Sequence, residues 1–354
     1  MKIVALVPFD IYPPSFGGAQ RCVNLLERIG PIDVIALDWF GEDRHEQHGD
    51  VSYHNVSVRE AARTRANKLF GADLHTYDGM AAFCQSDLTH LTAYIESLEP
   101  DLIILEHPWL VPFVGDVPFI YDAHNAESFL TSMRWPGSID DQVVRELEHR
   151  AVTKAKAITY CSELDAEILR KYYNPSAPMH FIPNGTDLPD MVAEGKEKNL
   201  LFVGSQYGPN IRAAQELANQ AHLLPDYTIH LVGGCSKAVR TIQPNVKLYG
   251  HVDDATLDDL HRNAYAFVNL MQTGSGTSLK VARAMSYGLP VISTAIGARG
   301  YDSVLLVERG QPIADAIAQV ETDWDSYSKQ SRNYAEKISW GRVGVKLRGL
   351  VHGV

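Results

Sequence analysis

The 354-residue sequence predicts an α/β protein made of two doubly wound parallel-sheet domains that face a central cleft. Three observations favour this architecture. Short apolar runs alternate with amphipathic helical stretches, the alternation stops once and then restarts, and the interruption has the composition of a linker. Apolar residues make up 45% of the chain, which is enough to build two cores.

The first half of the chain has the rhythm of βαβ units, in which a parallel sheet is covered by helices on both faces. Its apolar runs predict strands at 2–7, 33–37, 101–105, 118–121, 157–160 and 180–182. Its amphipathic stretches predict helices at 19–29, 80–98, 141–155 and 163–172.

Residues 183–198 interrupt the rhythm with two prolines, two glycines and several charges, which is typical of a linker. We therefore predict an N-terminal domain over 1–186, a C-terminal domain over 187–330, and a helical tail over 331–354 that is free to pack back on the first domain. The second domain is predicted to contain strands at 199–203, 228–232, 246–249, 266–270, 290–294 and 304–307, and helices at 211–221, 256–263, 279–287 and 312–320.

Charge and cysteine content exclude several classes of protein. The formal net charge of −11 argues against nucleic-acid binding, which needs Lys and Arg for the phosphates. Cys22, Cys84, Cys161 and Cys235 are scattered, so we expect reduced core thiols of a cytoplasmic protein and no structural zinc site. No apolar run approaches the ~20 residues of a membrane span, so any membrane contact is expected to be peripheral.

Candidate ligand-binding residues follow predicted strands, and in doubly wound sheets ligands sit at the carboxyl ends of the strands. Gly17 and Gly18 follow the first strand and allow the backbone to approach a ligand, although a tight turn alone would also explain them. His124 follows another strand and can hydrogen-bond a sugar hydroxyl or a phosphate oxygen. For its neighbours Asp122 and Asn125, a structural role explains the sequence at least as well.

The segment 273–280, Thr-Gly-Ser-Gly-Thr-Ser-Leu-Lys, gives the strongest signal in the sequence. It lies after a predicted strand and opens a predicted helix. Its small residues leave backbone N–H groups free to point at phosphate, the helix adds its positive end, and Lys280 supplies a full charge. The spacing differs from that of a Walker motif. The segment therefore predicts a phosphate site.

This segment and the helix after it, 273–300, resemble the donor-site signature of retaining glycosyltransferase family 4, also described as glycosyl transferases group 1. That family shows a Gly-Ser-Gly-Thr-x-Leu-Lys run followed by Ala-Met-Ala-x-Gly-x-Pro-Val. Further similarities, in the same order along the chain, lie at Gly17-Gly18 with Arg21, 122–125, 182–187, 201–205 and 246–252.

The resemblance implies a GT-B fold with two Rossmann-like domains. It also implies transfer of a hexose-type sugar from a nucleotide diphosphate sugar to a saccharide or lipid-linked acceptor, with retained configuration. No metal and no cofactor beyond the sugar-nucleotide co-substrate are expected. Family members commonly serve polysaccharide or glycoconjugate biosynthesis in the cytoplasm, in some cases at the inner face of the membrane.

Candidate site residues follow from the motifs and from the resemblance together. We expect His124 and Lys280 to be catalytic, and Glu106, Trp109 and Asn125 to contact the acceptor. Contacts to the donor are expected from Gly17, Gly18, Ser205, Gly250, Val252, Ser275, Gly276, Thr277, Ser278, Leu279 and Arg283.

The sequence departs from the family pattern at three of these positions. Arg283 stands where the family has a second Glu that holds the ribose hydroxyls, and a guanidinium has donors only. Ser275 replaces the first Glu, as in many relatives, and Ser205 stands where an Arg is often found. These departures leave the identity of the nucleotide open.

Other readings remain open at this point. The basic segment 59–68 fits contact with an anionic lipid-linked acceptor or a membrane surface, and a solvated helix face explains it equally well. The chain as a whole is also compatible with a nucleotide-sugar 2-epimerase, or with a non-catalytic nucleotide-sugar-binding protein, for which Arg283 is the sequence support. A glycosyltransferase acting on DNA or protein is disfavoured by the acidic charge.

Overall fold

A computed structural model of the chain describes residues 1–39, 41–58, 89–134, 136–240, 243–274 and 276–354. Two compact units are present: unit 1 comprises Met1–Pro183 and Gly341–Val354, and unit 2 comprises Asn184–Trp340. Each unit is an α/β fold built around one sheet, as the sequence predicts. Within the described residues, no helix combines the length and the apolar character that crossing a bilayer requires.

Unit 1 contains an eight-stranded sheet in the order β3-β4-β2-β1-β5-β6-β7-β8. The pair β3–β4 is antiparallel and the remaining neighbours are parallel. The strands β1, β5, β6 and β7 are buried along their whole length, as expected for a sheet covered on both faces. The bounds are β1 Ile3–Val7, β2 Ile32–Asp38, β3 Arg44–His48, β4 Val51–Ser57, β5 Leu102–Glu106, β6 Phe119–Ala123, β7 Ala157–Tyr160 and β8 Met179–Phe181.

The described helices of unit 1 follow these strands and include one that closes the chain. Side chains cap two of them, because Ser138 accepts from the N–H of Asp141 and Ser162 accepts from that of Asp165. The bounds are α1 Gly17–Leu26, α2 Thr89–Ser97, α3 Glu127–Arg134, α4 Ile139–Lys154 and α5 Glu163–Tyr173, with α11 Trp340–Val351 reaching unit 1 from the chain end.

Unit 2 contains a six-stranded, fully parallel sheet in the order β11-β10-β9-β12-β13-β14. The strands are β9 Asn199–Val203, β10 Thr228–Val232, β11 Val246–Gly250, β12 Ala266–Asn269, β13 Val291–Ser293 and β14 Leu305–Leu306. The helices are α6 Gly208–Gln220, α7 Asp254–Arg262, α8 Leu279–Ser286, α9 Ile313–Thr322 and α10 Trp324–Lys337. This strand order is that of a Rossmann-type sheet, whose switch point lies between its first and fourth strands, here β9 and β12.

Two strands and one helix of unit 1 were missed by the sequence analysis. Strand β3 has the sequence Arg-His-Glu-Gln-His and β4 carries polar residues at alternate positions, so neither forms an apolar run. Helix α3 begins at Glu127 after Ala126, whose methyl side chain cannot accept a hydrogen bond. Instead, Glu148 of α4 accepts hydrogen bonds from the backbone N–H groups of Glu127 and Ser128 at 2.7 and 3.0 Å. A cap from a distant residue leaves no local sequence signal.

The units divide between 183 and 184 and between 340 and 341, whereas the sequence predicted boundaries after 186 and 330. Thr186 belongs to unit 2 because its N–H donates to Ile338 at 3.2 Å and its carbonyl accepts from Trp340 at 3.1 Å. Residues 331–337 continue α10 of unit 2, so the part of the chain end that joins unit 1 is 341–354. There, Arg348 donates to the carbonyl of Arg28 at 2.7 Å.

Several predicted features lie outside the described residues. They are the basic segment 59–68, the part of the predicted helix 80–98 that precedes Thr89, Cys84 and the donor-site candidate Ser275.

Gly185 is expected to be intolerant of any side chain. A Cβ at this position would lie 2.5 Å from the ring of Trp340 and 2.9 Å from the carbonyl oxygen of Ile338. We expect Gly185→Ala to lower the free energy of unfolding by about 1–3 kcal/mol, because overpacking forces these groups apart. Urea unfolding followed by circular dichroism measures the change.

Gly341→Ala is the matched control, because a Cβ at Gly341 has no heavy atom within 4 Å and the residue lies in α11. We expect this variant to be neutral or stabilised by up to about 1 kcal/mol, since Ala is the better helix former. Equal unfolding midpoints for the two variants would contradict the packing argument at Gly185.

Candidate functional site

The first strand of unit 1, β1, lies between β2 and β5, so the chain leaves it at the switch point of the sheet. Helix α1 begins there at Gly17, and the N-cap residue Phe16 gives no side-chain hydrogen bond to the helix. A Cβ on Gly18 would lie 3.0 Å from the ring of Phe16 and 3.3 Å from that of Phe9. Gly18 therefore permits a close turn, and the N-terminus of α1 carries no side-chain cap.

Arg21 of α1 is fully buried and forms a bidentate ion pair with Asp122 of β6, at 2.9 Å from Nε and 2.7 Å from Nη2. Its Nη1 donates to the carbonyl of Ile182 at 2.9 Å, and Asp122 also accepts from the hydroxyl of Thr159 at 2.5 Å. Burial would raise the pKa of Asp122, but Arg21 outweighs it and holds that pKa well below its usual range. Asp122 is thus a structural counter-ion.

His124 lies directly after β6, where the sequence placed it, and is buried in unit 1. Its Nε2 lies 2.6 Å from Glu106 and 3.4 Å from Asp122. Burial would lower the pKa of His124, but hydrogen bonds to these two carboxylates outweigh it and raise the pKa to about 9. At neutral pH the ring is therefore an imidazolium, which donates hydrogen bonds and does not accept a proton.

Cys22, Glu106 and His124 are the one described group of three metal-ligand-type residues whose ligand atoms lie close together. The Cys22 thiol lies 3.5 Å from Glu106 and 4.0 Å from His124. Burial and the charge of Glu106 raise the pKa of Cys22 well above its ordinary value, so the thiol keeps its proton, as does the imidazolium. In this protonation state the three side chains form a hydrogen-bonded cluster.

The three residues expected to contact the acceptor are placed differently from one another. Asn125 is half-buried and donates to Glu127 at 2.7 Å. Glu106 is buried and faces His124, so its carboxylate supports that ring. Trp109 is 5% exposed within the core of unit 1, and its ring is stacked on that of His107 with 6.5 Å between the ring centres, so its contact with the acceptor stays a prediction.

The switch point of unit 2 lies between β9 and β12, and the helices that follow these two strands both lack a side-chain cap. Helix α6 starts at Gly208 after Tyr207, and α8 starts at Leu279 after Ser278. Two other helices of the unit, α7 and α10, are capped by Asp253 and Asp323. At these two helices the N-cap side chains take up none of the first-turn N–H groups, although Pro209 of α6 has no N–H to offer. Such a helix start is suited to an anion.

Lys280 lies in the first turn of α8 and is partly buried. Its Nζ donates to the amide oxygen of Asn210 at 2.5 Å and lies 4.6 Å from the centre of the Phe202 ring. Asn210 in turn donates to the hydroxyl of Ser205 at 3.1 Å. Burial lowers the pKa of Lys280 to about 8, and no described carboxylate forms an ion pair with it. This is a cation held by neutral groups.

The loop before α8 is anchored at several points. Gly276 has a φ of +60°, a conformation that favours glycine, and its carbonyl accepts from Arg299 at 2.7 Å. The hydroxyl of Thr277 accepts from Asn184 at 2.7 Å. These contacts hold the loop immediately before the helix start. Sequence reasoning did not identify Arg299 or Asn210, whose roles depend on contacts between distant segments.

Gly250 ends β11, and its N–H donates to the hydroxyl of Ser236 at 2.9 Å while its carbonyl accepts from Gly233 at 2.6 Å. A Cβ on Gly233, whose φ is +92°, would lie 2.4 Å from the carbonyl oxygen of Gly204. The turn after β10 therefore packs directly on the backbone that precedes Ser205. Val252 is half-buried and precedes the cap residue of α7.

Arg283 of α8 forms an ion pair with Asp258 of α7 at 2.7 Å, and Asp258 also accepts from the hydroxyl of Tyr287 at 2.5 Å. About a third of the Arg283 side chain is exposed. The guanidinium is thus engaged in packing α7 on α8.

Comparison with protein-family models finds a match in each half of the chain. Residues 197–323 match a model described as glycosyl transferases group 1. Residues 26–185 match a model described as glycosyl transferase 4-like domain. Together the two matches cover most of the chain. A comparison with curated protein sequences finds no match.

Solved structures of GT-B glycosyltransferases share the fold. Sucrose-phosphate synthase from Thermosynechococcus elongatus aligns with a TM-score of 0.76 at 15% identity, covering 100% of this chain and 99% of that one. A UDP-forming α,α-trehalose-phosphate synthase from Burkholderia xenovorans, in complex with glucose-6-phosphate, aligns at 0.72 and 12%, covering 100% of both chains. A trehalose-6-phosphate structure from E. coli, bound with UDP-2-fluoro glucose, aligns at 0.69 and 12%, covering 100% and 99%.

Asp122 is expected to be required for the stability of unit 1. Asp122→Asn would remove the carboxylate that forms the bidentate ion pair with the fully buried Arg21 guanidinium. We expect the free energy of unfolding to fall by about 3–5 kcal/mol, as when one partner of a buried pair is removed. Urea unfolding at neutral pH measures the change.

Glu163→Gln is the control, because Glu163 pairs with Arg170 at 3.7 Å and both side chains are about half exposed. Loss of an exposed pair is expected to cost less than about 1 kcal/mol. If Asp122→Asn costs no more than this control, Asp122 is not the structural counter-ion of Arg21.

Proposed function

We propose that this chain, which belongs to the group 1 glycosyltransferases with the GT-B fold, transfers a hexose-type sugar from a nucleoside diphosphate donor to a saccharide or lipid-linked acceptor. The transfer retains configuration, uses no metal, and serves polysaccharide or glycoconjugate assembly. The structural neighbours support a donor and acceptor of this kind, because one is bound with UDP-2-fluoro glucose and another with glucose-6-phosphate.

The observation that carries this proposal is the state of Lys280. Its ammonium group lies in the first turn of the uncapped helix α8 and is bonded to the neutral amide of Asn210. A partly buried cation without a carboxylate partner is costly, and an incoming anion removes that cost. A helix N-terminus beside such a cation is suited to a phosphate group.

This arrangement suits the chemistry of glycosyl transfer. As the bond between the sugar and the diphosphate breaks, negative charge accumulates on the leaving phosphate oxygen. Lys280 and the free N–H groups at the start of α8 are fixed before the reaction, because Arg299 holds the carbonyl of Gly276 and Asn184 holds Thr277. Preorganised donors of this kind stabilise developing charge without reorganisation.

His124 contributes in a different way. Because its pKa is raised to about 9, it is a cation at neutral pH and does not serve as a general base. Its Nε2 is held by Glu106, which keeps the ring in one orientation. We assign His124 the role of a hydrogen-bond donor to an oxygen of the substrates, with Glu106 as its positioning residue.

The direct test is nucleotide binding followed by turnover. UDP, GDP, ADP and TDP are titrated by calorimetry, and the matching sugar nucleotides are then offered with a panel of saccharide and lipid-linked acceptors. We expect one nucleotide to bind and its sugar nucleotide to be turned over with retained configuration, read by NMR of the product. Binding with no turnover would favour a non-catalytic protein, and epimerisation without acceptor would favour a 2-epimerase.

Lys280→Met is expected to lower kcat/KM by roughly 100- to 1,000-fold, the usual effect of losing one preorganised charge-stabilising group. Methionine keeps the apolar stem over Phe202, so the fold is expected to persist. Lys237→Met is the control, because Lys237 is an exposed lysine in the turn Gly234–Ala238 of the same unit. A wild-type rate in Lys280→Met would remove Lys280 from the site.

Diphosphate binding is expected to take up a proton above about pH 8. In the free protein burial holds the pKa of Lys280 at about 8, and a bound anion raises that pKa. Below about pH 7 the Lys280 amine is already charged, so binding takes up no proton. At about pH 9 the amine must gain a proton when the diphosphate binds, so the affinity for the diphosphate falls. Calorimetry in buffers of different ionisation enthalpy measures the uptake.

The choice of pH range separates this effect from titration of the ligand, because phosphate groups lose their last proton near about pH 6. Lys280→Met is expected to abolish the proton uptake while leaving the protein folded. Proton uptake that persists in this variant would assign the titration to another group.

A further inference from the structure

His107 lies between the acceptor candidates Glu106 and Trp109, close to His124. It follows β5 directly, is 8% exposed, and its ring centre lies 4.0 Å from that of His124. Its backbone φ is +62°, a left-handed conformation that is uncommon for a residue other than glycine. Such backbone conformations cluster at functional sites.

The two nitrogens of His107 have different surroundings. Nδ1 lies 2.9 Å from the carboxylate of Glu127, whereas Nε2 is buried and has no hydrogen-bond partner among the described residues. Buried polar atoms in folded proteins are nearly always hydrogen-bonded. The Nε2 atom is therefore available to a group that arrives from outside the chain.

The protonation state of His107 follows from its neighbours. Burial raises the pKa of Glu127, but hydrogen bonds from His107 and Asn125 outweigh this and lower it, so Glu127 is a carboxylate and only accepts. His107 Nδ1 must then carry the hydrogen. Burial and the charge of His124 lower the pKa of His107, and they outweigh Glu127 and Asp122, which raise it. The His107 ring is therefore neutral at neutral pH. Its Nε2 therefore presents a lone pair.

We infer that His107 Nε2 is a binding site for a hydroxyl group of the sugar acceptor, kept in its hydrogen-bond-accepting form by Glu127. This inference rests on the proposed function, because it assigns the hydroxyl to the acceptor of that transfer. A lone pair accepts from an O–H or N–H group and repels the oxygens of a phosphate or carboxylate. The acceptor must therefore carry an unmodified hydroxyl at the position that meets His107.

The neighbouring cation completes the recognition of a hydroxyl. A hydroxyl group is both a donor and an acceptor, and the adjacent rings offer one of each: a lone pair on His107 and a protonated ring at His124. Two neighbouring titratable groups whose pKa values are driven apart are typical of a site that handles a polar substrate group. Phe9 packs on the edge of His107 at 5.4 Å and on Phe16 at 4.9 Å, and Phe16 is 46% exposed. Displacement of these two rings gives a route from solvent.

The tautomer is tested first, without any substrate. In protein labelled with ¹⁵N-histidine, long-range proton–nitrogen spectra identify the protonation state of each ring, and the signal of His107 is assigned by its loss in His107→Phe. We expect a neutral ring with hydrogen on Nδ1 at neutral pH. Glu127→Ala is expected to lose this single tautomer, and Glu127→Gln to retain it, because an amide oxygen accepts the same hydrogen bond. A charged ring, or hydrogen on Nε2, would overturn the inference.

Recognition of the hydroxyl is tested with the donor–acceptor pair found in the turnover screen. Deoxy analogues of the acceptor are compared in the wild type and in His107→Phe. For the wild type, removing the hydroxyl at one position of the acceptor is expected to lower kcat/KM by about 10-fold, as for one lost hydrogen bond. For His107→Phe, removing the same hydroxyl is expected to leave kcat/KM unchanged. His107→Phe is also expected to raise the acceptor KM while leaving the affinity for the nucleotide unchanged.

His54→Phe is the matched control, because His54 also pairs with a carboxylate, Asp33, but has both ring nitrogens bonded. For His54→Phe, removing that acceptor hydroxyl is expected to lower kcat/KM as much as it does for the wild type. If every deoxy analogue lowers kcat/KM as much for His107→Phe as for the wild type, the hydroxyl site at His107 is refuted, while the proposed sugar transfer stands. If no pair is turned over at all, the proposed function fails and this inference falls with it, whatever tautomer the spectra show.

Discussion

The structure of each unit depends on one constraint: its first strand lies in the middle of a parallel sheet. In unit 1, β1 lies between β2 and β5, and in unit 2, β9 lies between β10 and β12. Connections on the two sides of such a strand run in opposite directions, which leaves a crevice at its carboxyl end. The helices that leave this end, α1, α6 and α8, start without side-chain caps, whereas α4, α5, α7 and α10 are capped. Helix α9 follows the edge strand β14 and also lacks a cap from its N-cap residue, but its first N–H donates to Gln220 at 2.8 Å. At the switch points, N-cap side chains therefore take up none of the backbone donors.

The two units treat their buried cations in opposite ways. In unit 1 the guanidinium of Arg21 is matched by Asp122, and the ring of His124 is held by Glu106 and Asp122. These charges are satisfied inside the chain and serve to fix orientation. In unit 2, Lys280 meets the neutral amide of Asn210 and the face of Phe202. An unmatched charge is suited to binding, because its electrostatic energy is released only when an anion arrives.

The sequence predicted regular elements well where the signal was local. The bounds of β7, β9 and β10 agree with the predicted strands residue for residue. Strand β3 was not predicted, because this exposed edge strand has no apolar run. Site residues were predicted only as far as their position along a strand. Glu106 and Trp109 were both placed after β5, but which of them faces His124 and which enters the core depends on packing. The pair of His107 and Glu127 joins residues 20 positions apart, and no spacing rule in the sequence predicts it.

Helix α8 shows why composition alone does not identify a phosphate site. Lys280 and Arg283 lie about one turn apart, and both are basic residues in a segment that resembles a donor signature. The difference comes from α7, whose Asp258 pairs with Arg283, whereas no carboxylate in the described part of the chain pairs with Lys280. At Arg283, where the resemblance leads one to expect a carboxylate for the ribose, the position offers only donors, already engaged by Asp258. In the proposed donor complex, contacts to the ribose would therefore come from other groups, and the segment 273–280 resembles the family signature more closely than position 283 does.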